Sequence, residues 1–445
     1  MRLVNKEYYT EEFKKAQAEF EKAQEKADLW SELIGDILPE NLDELAKTSG
    51  AIIRKRGIKV PLDLLKVLLV FAVAILSIRM LALCAKALKI SSISDTAWRK
   101  KIANSALWLV LILDYILPKP PPEGDEMSKG RPVHLLDGSC VVQEGTKDKG
   151  NGKVFYIHMS YGLTLGAMDE IKVTDNHTAE GIQHYTIQKG HIYIADSNYG
   201  KAKIFDYIVS KQADAILRIS PNHVALYTKS GKKIDLAKLF GKTKKSVLDF
   251  DCYMKNGKKT IKVRIVASRL PEDKQADAIK RKKRKSQKNQ TKIKSETLIY
   301  ATWVVLATSL DRAEYTLEQV LEIYRCRWQV ELLFKRIKQH FKVTKIKPCS
   351  KKYAQSLILL WLIIWAITER QTVAAELFLK QQEFDLNRVS IWTMSSFFFH
   401  QVKTIIDCAW ATFFKSMDDI LVIMKYLQNH KSSRRNQYYE YRFLS

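Results

Sequence analysis

Residues 118–132, PKPPPEGDEMSKGRP, divide the chain. Proline fixes φ and removes a backbone donor, so a run this rich in it forms neither a helix nor a central strand. The stretch reads as a linker between regions of different texture. Before it the apolar residues recur at helical spacing, as Tyr9, Phe13, Ala16 and Phe20 do in a charged amphipathic helix predicted over 6–30. Further helices follow to 117, among them SSISDTAWRKKIANSALWLVLIL, where Ser94 is a helix N-cap that places Arg99, Lys100 and Lys101 in the first turns. Residues 1–117 are expected to form a helical DNA-binding domain, with a plain structural bundle as the alternative.

After the linker the texture is strand-rich. VHLLDGSCVVQ (133–143), KVFYIHMSYGLT (153–164) and GAMDEIKVTD (166–175) predict three strands in a meander. A helix over 178–189, a strand in HIYIADSNYG (191–200), a helix over 201–211 and a strand in DAILRIS (214–220) follow. This order predicts a mixed α/β or α+β fold, one sheet flanked by helices. Strands then resume without helices over 223–267, as a β-rich insertion spanning 221–309. Within it KRKKRKSQKNQTKIK (280–294) has dense charge and no apolar period, and is expected to be a mobile basic loop. LIYATWVVLATS (298–309) is its last strand, and residues 346–445 are expected to be helical, a candidate dimerisation region.

Charge narrows the partner. Lys and Arg number 74 against 48 Asp and Glu, a formal net charge of +26, which is most simply explained by an acidic polymer. The six cysteines (Cys84, Cys140, Cys252, Cys326, Cys349, Cys408) are scattered without a C-x-x-C pair, which argues for reduced cytosolic thiols and against structural zinc. Residues 1–20 are charged throughout, so no secretory signal is expected. The apolar runs VLLVFAVAILSI (67–78) and LILLWLIIWAI (357–367) fall short of the roughly 20 residues a membrane span needs, and buried core helices are expected.

The segment YRCRWQVELLFKRIKQ (324–339) carries an ordered set of polar residues. On one helix at about 100° per residue, Tyr324, Arg327, Glu331 and Lys338 share an arc of about 60°, Lys335 joins them, and the stripe runs about 21 Å. A stripe that long suits a polyanion; a solvated face with i,i+4 pairing is the alternative. Asp137 sits inside an apolar strand, where an ionised carboxylate is costly unless paired or bound to metal. Asp196 ends another strand, in turn chemistry that also fits a plain cap. If these two strands are neighbours and the helix of Glu331 packs across them, three carboxylates converge. Such a donor set selects Mg²⁺ or Mn²⁺. Two ions about 3.5–4 Å apart would serve an in-line phosphoryl displacement, with Tyr324, Arg327, Lys335 and Lys338 on the phosphates.

The Asp…Asp…Glu order with Tyr-x₂-Arg-x₃-Glu-x₆-Lys resembles the YREK signature of the insertion-sequence-4 family of DDE transposases, over residues 90–345. The resemblance implies an RNase H-like catalytic domain over 133–345, with Asp137, Asp196 and Glu331 as catalytic metal ligands. It implies cut-and-paste transposition by nicking, hairpin formation and strand transfer at terminal inverted repeats. The implied partners are double-stranded DNA of the element ends and of the target, and a second copy of the chain in a homodimeric synaptic complex. No membrane is implied, and the expected location is the cytoplasm of a bacterial or archaeal cell, at the nucleoid. The resemblance also singles out Trp303 as a platform for a flipped base, ordinary strand core being the alternative. Ser197, Asn198 and Tyr199 depart from the charged residues expected there in some relatives. Two other readings remain: a structure-selective nuclease of the same fold, and a catalytically silent protein that binds DNA or a membrane.

Overall fold

A computed structural model describes residues 28–408, apart from 36, 54–56, 75, 88, 120–125, 145–153, 176–180, 342–344, 348 and 383–389. Two compact units form, one from both ends of the chain (to Ile116 and from Pro348) and one from Leu117–Lys347. Most of the helix predicted over 6–30 lies outside the described residues.

The helical unit begins with α1 (Asp28–Gly35), α2 (Leu42–Thr48), α3 (Pro61–Ala74), α4 (Ile78–Ala87), α5 (Asp95–Asn104) and α6 (Ala106–Ile116). Pro61 stands at the first helical position, where its missing N–H costs nothing. The run after it is buried continuously from Val67 to Val73, so α3 is a core helix, apolar all round. Ser94 caps α5, its Oγ accepting from Ala97 N at 3.3 Å. The single helix expected from Ser94 is two helices. At the break the Ser105 N–H is shared between Lys101 O and Ile102 O, and its hydroxyl donates to Lys101 O at 2.9 Å.

The second unit is built on a nine-stranded sheet. Its strands and helices in chain order are β1 (Val133–Gln143), β2 (Val154–Gly162), β3 (Ala167–Asp175), β4 (Ile192–Ala195), α7 (Ala202–Ser210), β5 (Asp214–Arg218), α8 (Leu236–Lys242), β6 (Val247–Asn256) and β7 (Lys259–Arg269). They continue with α9 (Glu272–Lys288), α10 (Ser295–Ala301), β8 (Trp303–Thr308), α11 (Leu317–Arg325), α12 (Trp328–Phe341) and β9 (Lys345–Ile346). The strand order is β3-β2-β1-β4-β5-β8-β7-β6, with β9 paired to the far end of β1. β1, β4 and β5 are parallel, while the meander and β8, β7 and β6 run antiparallel, so the sheet is mixed. The insertion extends the same sheet, because β8 bonds both β5 and β7.

The structure departs from several expectations. Within 178–189 the described residues hold only a 3₁₀ turn, Ile182–His184. Tyr185 is extended after it and its hydroxyl is drawn under β1, donating to Asp137 O at 2.9 Å. The insertion contains a helix, α8, capped by Asp235 on Lys238 N at 2.9 Å. The basic run expected to be a loop is helical to Lys288, since Lys, Arg, Gln and Ala are good helix formers whatever their charge. Residues 295–301 are helix, and the last strand of the insertion starts only at Trp303. The second half of the expected linker is tied down, with Ser128 O accepting from the Tyr315 hydroxyl at 2.9 Å and Arg131 paired to Asp214 at 2.5 Å.

The chain then returns to the helical unit with α13 (Lys351–Gln381) and α14 (Ile391–Cys408). α13 packs on α3, α5 and α6, and the Ser356 hydroxyl donates to Ile102 O at 2.6 Å. The stretch Lys351–Leu379 is long and apolar enough to cross a membrane, and 67% of its most apolar window is buried inside the protein. Helices from the two ends of the chain therefore share one core.

His158 of β2 lies in the sheet core, stacked on His184 at 4.0 Å with Nε2 2.8 Å from Thr174 Oγ1. Burial, with His184 and Lys172 adding to it, pushes its pKa down from 6.5 to about 4. The unfolded chain then binds a proton that the folded one refuses. Stability should fall as pH drops from 6.5 towards 4, at about 1.4 kcal/mol per unit and reaching about 3 kcal/mol. Urea denaturation at pH 7 and pH 4.5 measures the loss, which should shrink in His158→Gln; an undiminished loss would put the acid sensitivity elsewhere.

Candidate active site

The parallel register pairs Leu136 with Ala195 and Ala195 with Leu217. One residue further on, Asp137, Asp196 and Arg218 stand level, on the same face and at the carboxyl ends of β4 and β5. Ligands of parallel α/β sheets bind at such ends. α12 lies across β1 and β2. Its buried residues Val330, Leu333, Phe334 and Ile337 fix the face it turns to the sheet, and Glu331 is left at the rim with its side chain 45% exposed.

Asp137 reports the convergence. Its Oδ1 accepts from Gly138 N at 2.8 Å. Burial pushes its carboxyl up to about 7, the Gly138 bond and Arg327 pull it down, and Asp196 and Glu331 add to the rise. Asp196 closes an Asx turn, its Oδ1 accepting from Asn198 N at 2.9 Å. Ser197 and Asn198 are exposed, whereas Tyr199 is buried and its hydroxyl lies 3.0 Å from that of Tyr185, the residue holding Asp137 O. Tyr199 and Tyr185 thus brace the Asp196 turn against the Asp137 strand, a role the sequence did not reveal. Gly200 is obligatory for this turn, because a Cβ there would lie 2.0 Å from Arg218 O.

The 324–338 stripe is not one straight helix. α11 ends at Arg325, and the junction tightens into i→i−3 bonds, Arg327 N to Tyr324 O and Gln329 N to Cys326 O. Projection at constant angle fails across that turn. Tyr324 swings inward to 9% exposure, while Glu331, Lys335 and Lys338 keep a common face on α12. Arg327 Nη1 pairs with Glu331 Oε1 at 2.6 Å. The Tyr324 hydroxyl and Arg327 Nε are buried, and the two side chains stand against each other, the guanidinium 5.7 Å from the centre of the phenol ring. Burial raises the Tyr324 phenol, Arg327 and Arg218 oppose the rise, and Asp196 adds to it. Arg218 therefore belongs to the site. The sequence signal was there, a cation closing the apolar strand DAILR, but only the register places it beside Asp196.

The remaining expected residues have these surroundings. Arg99 and Lys100 are exposed on α5 of the helical unit, but Lys101 Nζ donates to Ala51 O at 2.9 Å and serves that unit's own structure. Trp303 is 3% exposed, stacked on Phe240 at 4.6 Å and under the Arg269 guanidinium at 4.8 Å. It is core of the insertion, with no face open to a base. Among the described residues no three His, Cys, Asp or Glu side chains stand close enough to enclose a metal ion, Glu331 being turned onto Arg327. Cys84, Cys140, Cys252, Cys326 and Cys349 are free thiols.

Residues 129–367, which contain the whole constellation, match the family model described as the transposase DDE domain. The chain belongs to this transposase family. It is 28% identical over 351 residues to the transposase InsL for insertion sequence element IS186A of Escherichia coli strain K12, covering 74% of this chain and 90% of that one. The transposase for insertion sequence element IS421 of Escherichia coli is 28% identical over 352 residues, with the same coverage. This transposase is thus an enzyme of the class that cuts and joins DNA strands with divalent metal, acting for an insertion sequence.

Proposed function

We propose that this transposase excises and inserts its element by phosphoryl transfer at the carboxyl end of β4, beside the middle of β1, with Asp137, Asp196 and Glu331 as metal ligands. The observation that carries the reading is the register, which sets the two aspartates level on the face that α12 covers with Glu331. The donors fit a hard divalent cation: all are carboxylates, and one is held up to about 7 chiefly by burial, a cost that a cation would relieve. Magnesium or manganese, when bound, supplies the charge that activates the attacking oxygen and stabilises the leaving one. Glu331, now paired with Arg327, would hold the metal in place of that ion pair.

The chain's own donors hold the substrate. Arg327 and the Tyr324 hydroxyl are buried donors close enough to Asp196 and Glu331 to influence or be influenced by them, and they can turn to a phosphate oxygen. Arg218 adds charge beside Asp196, and Lys335 and Lys338 extend the contacts along α12. The insertion-sequence-4 assignment, and with it the route through a hairpin, rests on the YREK resemblance. A homodimer follows from the need of two paired ends for two active sites, and end recognition falls to the N-terminal helices, with the exposed Arg99 and Lys100 as contacts, because the catalytic site reads phosphates and not bases. Incubation of an element-end duplex with Mg²⁺ or with EDTA tests the reading, with nicked, hairpin, broken and joined products resolved on a gel. Products that appear without metal, or cutting that never leads to joining, would sink it; the second outcome marks a nuclease of the same fold.

Arg218→Gln and Lys338→Gln should each lower the slope of log K against log salt by about 0.9 if each contacts one phosphate. Binding of element-end DNA across a salt series measures this. An unchanged slope would return Lys338 to a solvated face and Arg218 to a structural role.

A further inference from the structure

α9 is a 17-residue helix with no buried residue. Lys280, Arg281, Lys282, Lys283, Arg284 and Lys285 are six consecutive exposed cations. At about 100° per residue they leave no gap wider than about 100° around the axis. An ordinary solvated face mixes signs, yet the acidic residues of α9, Glu272, Asp273 and Asp277, all precede this run. Among the described residues none of the six has a carboxylate at ion-pairing distance; the ion pair on α9 is Lys274 with Asp273. Like charges at i,i+4, Lys280 with Arg284 and Arg281 with Lys285, repel and weaken the helix. Among the described residues of this unit no carboxylate offsets that repulsion, whereas a polyanion would.

The sheet sets where α9 begins. Arg218 pairs with Leu306 and Arg269 with Trp303, so β7 ends three residues, about 10 Å, beyond the level of Arg218 in the direction that β4 and β5 point. α9 starts three residues after Arg269, at the catalytic end of the sheet, and extends about 25 Å. We infer that α9 binds the phosphate backbone of duplex DNA without regard to sequence, and that its ligand is the target DNA into which the element is joined. Lys and Arg contacts to phosphates position a duplex but do not read it. Element ends present the same sequence every time, while a target does not, and a purely cationic helix suits the latter. This inference rests on the transposase reading above.

The test uses full-length protein in which Lys280→Gln, Arg281→Gln, Lys282→Gln, Lys283→Gln, Arg284→Gln and Lys285→Gln are combined, with Lys280→Arg, Lys282→Arg, Lys283→Arg and Lys285→Arg as the charge-keeping control. Binding to a random-sequence duplex is measured across a salt series, alongside nicking of an element end and joining of pre-cut ends into a plasmid. The glutamine variant should lose about 2 or more from the salt slope, at about 0.9 per phosphate contact, and about tenfold or more in joining, with nicking within about twofold of wild type. The control should match wild type in all three. An unchanged slope, a fall in nicking as large as the fall in joining, or a control that behaves like the glutamine variant overturns the inference. The slope needs no catalysis, so a failure of the transposase reading shows separately, as wild-type protein that never nicks.

Discussion

Asp137→Asn, Asp196→Asn and Glu331→Gln should each reduce metal-dependent nicking and joining about a thousandfold or more, while binding of element-end DNA stays within a few-fold of wild type. Metal-borne charge contributes several kcal/mol to such a transition state, and each 1.4 kcal/mol or so is tenfold in rate. The proposed phosphate donors Tyr324, Arg327 and Arg218 remain, so binding should survive. Stability separates lost chemistry from lost fold. Burial lifts the Asp137 carboxyl to about 7 in the folded protein, so above pH 7 the fold carries a charge it disfavours. A folded pKa above the unfolded one makes metal-free stability decline as pH rises from about 4 to 7. Asp137→Asn removes that decline and should be the more stable protein at pH 8, by about 2–4 kcal/mol. Denaturation at pH 8 with EDTA measures it. Retained nicking in any one variant would remove that residue from the metal set, and an unstable Asp137→Asn would mean that its carboxylate is structural.

Arg264→Met should cost about 3–5 kcal/mol of stability, because it strands the partners of a buried charge. The Arg264 side chain is 5% exposed. It grips Asp249 through Nε at 3.0 Å and Nη2 at 2.8 Å, and its Nη1 donates to Tyr315 O at 2.7 Å and Leu310 O at 3.3 Å. One guanidinium thus ties β6 and β7 to the segment that leads into α11 and Tyr324. Arg312 also pairs with Asp249, at 2.8 Å, but is 48% exposed, and Arg312→Met should cost under about 1 kcal/mol. Desolvation pulls the Asp249 carboxyl up, but hydrogen bonds from Arg264 and Arg312 overcome it and hold the group at about 2. Its contribution is therefore present above about pH 4 and is lost as pH falls through 2. Urea denaturation of the two variants checks the ranking, and equal losses would refute the buried anchor.

Sequence alone determined what depends on neighbours a few residues away. The strand at 133–143 was legible because apolar residues surround a lone Asp137, and the start of α5 because Ser94 precedes a helical run. Residue type singled out Asp137, Asp196 and Glu331 as candidates. The failures have a common cause. Dense charge at 280–294 looked like disorder, because composition reports solvation and says little of the backbone, which Lys and Arg leave free to be helical. The stripe through Tyr324 assumed a constant turn angle, and the i→i−3 bonds donated from 326–329 ended it. Whether Trp303 faces DNA or core depends on Phe240 and Arg269, distant in the chain and adjacent only in the folded insertion. Tertiary structure also decided that helices from both ends of the chain share one core. Above all it decided that Asp137, Asp196 and Arg218 stand in one row. Strand register is a contact between segments tens of residues apart, and no local period encodes it.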